Sequence, residues 1–124
     1  IVIASEEAEF QDSAHFANGM VPGDGMHVVM PLLLGLNRAR YFLLTGQAIS
    51  AKEAKEFGIV AEVLPKKLLL ARAYELARML LLQKRLIRRY SRIVLTQDLK
   101  ARVHDLLGYG LALEGLGVLE ASDS

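Results

Sequence analysis

Pro22-Gly23-Asp24-Gly25 crowds four turn formers together, and the apolar run Val28 to Leu36 follows directly after His27. A run apolar on nearly every side reads as a buried helix, here over Gly25 to Leu36. Pro31 lies inside it, so the helix should kink or start later. Asp24 is well placed to N-cap it. The stretch before the turn, with Asp12 to Gly23 read as loop carrying a helical turn, holds His15, nine residues before Asp24. A polar cluster is thus set against an apolar helix start. Histidine is the side chain whose ordinary pKa lies near neutrality, and a carboxylate on its far nitrogen makes it a better base.

The rest of the chain is punctuated by helix signals. Asn37 is expected to cap a helix through Leu44 that Gly46 stops. Ser50-Ala-Lys-Glu53 is a capping box opening a short helix, Ala51 to Phe57, closed by Gly58. Ile59 to Leu64 alternates as a strand and ends at Pro65. Lys66 to Gln83 reads as an amphipathic helix with Leu69, Ala73, Leu76, Ala77 and Leu80 on one face. Two further helices are expected, Arg85 to Thr96 and Leu99 to Leu119. At the start, Ile1 to Ala4 reads as a buried strand and Ala8 to Gln11 as a second short one. A chain opening on Ile inside a core strand points to a piece of a longer polypeptide. The pattern is that of half an α/β protein.

An apolar share of 52% over 124 residues supports one packed core and argues against disorder. With 15 Lys+Arg against 14 Asp+Glu, the charge balance argues against a nucleic-acid or membrane surface. There is no cysteine, so thiolate chemistry is excluded and a reducing compartment, taken as cytoplasmic, is the expectation. No apolar run is long enough to cross a bilayer. His15, His27 and His104 do not have zinc spacing, so no metal is expected. Lys84-Arg85 with Arg88, Arg89 and Arg92 reads first as a solvated helix face, and steering of an anion is the lesser alternative.

The order of motifs resembles the crotonase (enoyl-CoA hydratase/isomerase) superfamily. The residues that carry it are Phe10, Pro22-Gly-Asp-Gly25, Leu44-Thr-Gly46, Ile49-Ser-Ala-Lys-Glu-Ala54, Gly58-Ile-Val60 and Glu62-Val-Leu-Pro65. The resemblance implies an α/β fold: the C-terminal half of a crotonase-type ββα spiral followed by C-terminal helices. Residues 1–65 would end the spiral core with its active-site loop. Residues 66–124 would form a helical region for oligomerisation and site closure.

Where a typical hydratase of the superfamily has Pro-Glu, this chain has Ala14-His15, and the turn carries Asp24 where Ala or Gly is usual. Together with Asn37-Arg38, Arg40 to Gly46 and Gly108-Tyr-Gly-Leu-Ala-Leu-Glu114, this is similar to the 6-oxocamphor hydrolase, or β-diketone hydrolase, branch. That branch cleaves a C–C bond of cyclic β-diketones by a retro-Claisen reaction and needs no coenzyme A. The match implies a catalytic dyad of His15 and Asp24, with Glu114 as a further active-site carboxylate. A second catalytic histidine and most of the oxyanion hole would lie before Ile1. It also implies a homotrimer or a hexamer built of trimers. Taken alone, the residues leave other readings open. His15 can be a satisfied histidine, Asp24 a plain N-cap and Glu114 an exposed helix position. His27 reads as structural or as a support to the site. The alternative functions are a coenzyme A-dependent enoyl-CoA hydratase or isomerase, and a non-catalytic crotonase-like remnant serving in assembly.

Overall fold

The computed structural model describes residues 1–122, with side chains through Glu120. The elements run β1 Ile3–Ser5, β2 Glu9–Phe10, α1 Met26–Leu34, α2 Leu36–Thr45, β3 Ile49–Ser50, α3 Ala51–Glu56, β4 Glu62–Leu64, α4 Lys66–Leu81 and α5 Arg85–Ser122. A single 3-10 turn, Phe16–Asn18, interrupts the loop after β2.

The strands form two small ladders. β1 pairs with β4 in parallel, Ala4 opposite Val63. β2 pairs with β3 antiparallel, Phe10 opposite Ile49. Ile1 and Val2 lie outside the ladder and are exposed, contrary to the buried strand expected from Ile1. The core gathers under α1, α2 and α3, with Met30, Leu34, Phe42, Ile49 and Val60 in one cluster. Phe42 and Ile49 are its largest fully buried side chains. Each such burial contributes roughly 1.5–3 kcal/mol of transfer free energy.

The caps explain where the helices begin and end. Gly46 closes α2 in the left-handed region at φ 64°, as expected. At α3 the box is complete: Ser50 Oγ accepts from Glu53 N, and the Glu53 carboxylate accepts from Ser50 N. The Ser50 hydroxyl and the Ser50 N–H both donate to the Glu53 carboxylate, and these two bonds hold that carboxyl below its ordinary pKa. Arg72 on α4 makes a two-pronged pair with Glu62 on β4, at 2.8 and 2.9 Å, which holds the Glu62 carboxyl low.

Four further expectations are corrected. Asp24 does not cap α1: the cap is Gly25 at φ 129°, with no side-chain bond. Asn37 does not cap α2, because Gly35 ends α1 and caps α2 two residues earlier, which puts Asn37 inside the first turn. Arg85–Ser122 is one helix of 38 residues with no break after Thr96. Gln97 and Asp98 are neither Gly nor Pro, and Asp98 accepts from Arg102 one turn on (2.9 Å), a pair that supports the helix. Finally, α4 buries no residue: of its expected apolar face only Leu69 and Leu76 are half-buried. Pro31 does sit within α1, and the helix runs from Met26, one residue later than read from the sequence.

Candidate active site

The loop between β2 and α1 is fastened at both ends. Phe10 is held in the ladder against buried Ile49. Next to it, Gln11 Nε2 donates to Gly46 O at 2.8 Å, tying the loop to the end of α2. The loop then closes on itself around His15, whose carbonyl accepts from Asn18 N (2.8 Å) and Met20 N (3.1 Å). Asn18 Nδ2 also donates to Ser13 O. These bonds leave the His15 backbone little freedom, so the imidazole is placed by the fold.

That side chain is only 7% exposed. Its Nδ1 lies 2.6 Å from Oδ1 of Asp12, which is equally buried. A carboxylate only accepts, so Nδ1 carries the proton of the pair and Nε2 is the free position of the neutral ring. Nε2 faces Asp24, with Oδ1 at 3.3 Å. The Asp24 side chain is half exposed, so this edge of the ring opens to solvent while the other is sealed.

Glu114 arrives from the far end of the chain. Its Oε2 accepts from Gly23 N at 3.1 Å, next to Asp24. One ligand atom from each of His15, Asp24 and Glu114 lies within 4.8 Å of the others. The three expected site residues therefore share one space, although 90 positions separate Asp24 from Glu114. A cation could also bridge that space. The expectation of no metal rested on histidine spacing, which says nothing of a mixed His, Asp and Glu set.

The electrostatics follow from the burial. Desolvation disfavours the charged imidazole and pulls its pKa down. The hydrogen bond His15 donates to Asp12 and the charges of Asp12, Asp24 and Glu114 oppose this and outweigh it, so His15 ends above its ordinary value.

Asp12 is the residue that sequence reasoning missed. The dyad was drawn with Asp24 orienting the ring, whereas Asp12 grips Nδ1 and Asp24 stands on the Nε2 side. The available signal was the three-residue spacing from Asp12 to His15 beside a helical turn, which brings side chains together. His27 makes its contact away from the cluster, with Nε2 at 3.1 Å from Leu106 O. His104 is exposed. The basic group on α5 surrounds an open surface hollow of about 530 Å³ lined by Arg85, Arg88, Arg89, Arg92, Ile93 and Lys100. No described helix is long and apolar enough to cross a membrane.

Comparison with known proteins gives a consistent picture. Residues 1–113 match the family described as Enoyl-CoA hydratase/isomerase. Among solved structures, the chain is 49% identical to a β-diketone hydrolase from the cyanobacterium Anabaena, bound to (S)-3-oxocyclohexyl acetic acid. That match has a TM-score of 0.96 and covers 98% of this chain and 49% of the other. An enoyl-CoA hydratase of Mycobacterium paratuberculosis is 29% identical, with a TM-score of 0.90, over 100% of this chain and 55% of its own. An enoyl-CoA hydratase/isomerase of the same organism is 31% identical, with a TM-score of 0.86, over 94% of this chain and 46% of its own. The chain spans about half the length of the structures it matches.

Proposed function

Because the chain belongs to the enoyl-CoA hydratase/isomerase family, we propose that its His15 site hydrolyses a C–C bond of a β-diketone, in the first instance a cyclic one, without coenzyme A. One observation carries this reading: a buried imidazole gripped by Asp12 turns its free nitrogen toward Asp24 and Glu114. A hydratase of the family would use a carboxylate where His15 stands. The 49% identity to a β-diketone hydrolase supports the same reading.

The chemistry follows from the geometry. A water held between Nε2 and the two carboxylates gives one proton to His15, while its other hydrogen donates to Asp24 or Glu114. Its oxygen adds to one carbonyl carbon. The tetrahedral oxyanion collapses, and the bond to the carbon between the carbonyls breaks with its electron pair delocalised as the enolate of the second ketone. The imidazolium returns its proton to that carbon. Asp12 keeps the ring in the right tautomer and stabilises its cation throughout. The oxyanion is assigned to donors that the resemblance places before Ile1. Ring opening of a cyclic β-diketone leaves a keto acid, and a keto acid is what the Anabaena hydrolase holds.

The assay is loss of diketone absorbance by the full-length protein over a panel of ring sizes, with crotonyl-CoA as a competing substrate. Diketone cleavage without coenzyme A supports the proposal. Robust hydration of crotonyl-CoA with no diketone cleavage transfers the site to the coenzyme A-dependent reading, which the mycobacterial neighbours favour. Inertness toward both leaves the non-catalytic reading.

A trimer or a hexamer is part of the proposal. Leucines on α4 and α5 such as Leu70 and Leu95 stand exposed, and apolar surface of that extent calls for cover. Sedimentation of the full-length protein as a monomer would contradict it.

A further inference from the structure

One stripe of α5 fastens that helix to the site loop among the described residues. Leu106, Gly110, Glu114 and Gly117 recur at helical spacing and so lie on one face. Each meets the stretch Val21 to His27. Leu106 O faces His27 Nε2 at 3.1 Å. Gly110 touches both the His27 ring and the backbone of Gly23, so closely that a Cβ on either glycine would overlap its neighbour. Glu114 accepts from Gly23 N. A Cβ on Gly117 would sit 3.3 Å from Val21 Cγ2. A carbonyl only accepts, so the His27 ring carries its proton on Nε2 and donates it to Leu106 O. That oxygen has a second lone pair for its intrahelical N–H, and the helix is not broken.

We infer that His27 is a positioning residue: its bond to Leu106 O holds α5 in the register that brings Glu114 onto Gly23 and beside His15 and Asp24. No other side chain of α1 makes a hydrogen bond to α5 among the described residues. Loss of that bond lets the helix slide or rotate. A small shift of that kind is enough to lengthen the 3.1 Å bond from Gly23 N to Glu114 Oε2 and to move the carboxylate away from His15. The inference rests on the reading of the site given above, so its test reads the imidazole as well as the reaction.

The charged groups facing His15 are Asp12 on its own loop, Asp24 before α1 and Glu114 on α5. Imidazole nitrogen signals of His15 in the full-length protein are followed by NMR through a pH titration, for the parent, His27→Leu, His27→Gln, Glu114→Gln and the double variant His27→Leu with Glu114→Gln. Glu114→Gln removes the charge and leaves the group in place. His27→Leu leaves the charge and releases its position. Both are expected to lower the His15 midpoint by a similar amount. The double variant should lower it no further, the non-additivity of two residues acting through one contact. His27→Gln, which retains a donor at a similar reach, should keep the parent midpoint. In the diketone assay His27→Leu should lose on the order of 10- to 100-fold in kcat with little change in KM.

A midpoint unchanged in His27→Leu but lowered in Glu114→Gln would overturn the inference, as would a double variant showing the sum of the two. Should His27→Leu fail to fold, His27→Asn, whose amide is too short to reach Leu106, takes its place with the same expectations. Coupled midpoints in a protein that cleaves no diketone would leave the positioning standing and remove the proposed reaction.

Discussion

Asp12 Oδ1 and His15 Nδ1 lie 2.6 Å apart with both side chains almost wholly buried, three residues from each other in a loop. A carboxylate is costly to bury unless a partner meets it, and here the imidazole is that partner. Its other oxygen makes no hydrogen bond among the described residues. The pair is therefore better explained as a device for holding a ring than as a contribution to stability.

Asp12→Asn is the sharpest probe of that device. The amide keeps the shape and loses the charge, and it can present its N–H to Nδ1 and favour the wrong tautomer. The expectation is a loss of about 10²–10⁴-fold in kcat for the diketone with an unchanged far-ultraviolet circular dichroism spectrum. Steady-state kinetics on the two proteins check it. A loss under threefold would remove Asp12 from the reaction.

The pH dependence has a definite sign. His15 is raised in the folded protein above an ordinary value of 6.5. Its contribution to stability is thus fully present below about pH 6.5 and is lost as pH rises through the higher folded value. The reaction runs the other way, because the base must be neutral. The acidic limb of kcat/KM should lie above pH 6.5, and Asp12→Asn should move it down. Profiles of kcat/KM from pH 5 to 9, beside urea melts at the same pH values, test both halves.

How much of this was legible depends on range. Ser50 with Glu53, and Gly46 after Thr45, announced their helix ends because caps are local chemistry. Asp24 and Asn37 misled for the same reason: both are good caps in isolation, but Gly25 and Gly35 take those positions. Gly25 and Gly35 both adopt positive φ there, and a side chain at either would be strained. The pairing of Phe10 with Ile49 and the meeting of Gly23 with Glu114 are long-range, and neither can be read from spacing. His15 and Asp24 stood out as a polar cluster before an apolar helix, but their role as a dyad and the place of Glu114 beside them came from a family resemblance, which carries long-range contacts implicitly. Asp12 lay outside that resemblance and was overlooked, although its spacing to His15 was visible.

Gly23 and Gly110 are required for space. A methyl group on Gly23 would run into the carbonyl of Gly110, and backbone cannot step aside as a side chain can. Gly23→Ala and Gly110→Ala should each cost about 1–3 kcal/mol, the usual range for overpacking. Denaturant titration gives the value. Gly108→Ala is the control, because a Cβ there meets nothing within 4 Å.

Ser50→Ala tests the capping box apart from the site. About 1 kcal/mol of stability should be lost, with kcat for the diketone unaltered. The Glu53 carboxyl is held low by Ser50, so this part of the stability is present above the ordinary carboxylate range. It disappears as pH falls through the lowered folded value. Urea melts of both proteins at neutral and at acidic pH should therefore converge toward the acid side.

The most direct test of the account is kcat of His15→Ala in the full-length protein, on a cyclic 1,3-diketone that the parent cleaves, with no coenzyme A present. A folded variant that has lost about 10²–10⁴-fold is the predicted result, the ordinary worth of a positioned general base. A folded variant within a few-fold of the parent would contradict the claim that His15 is the base.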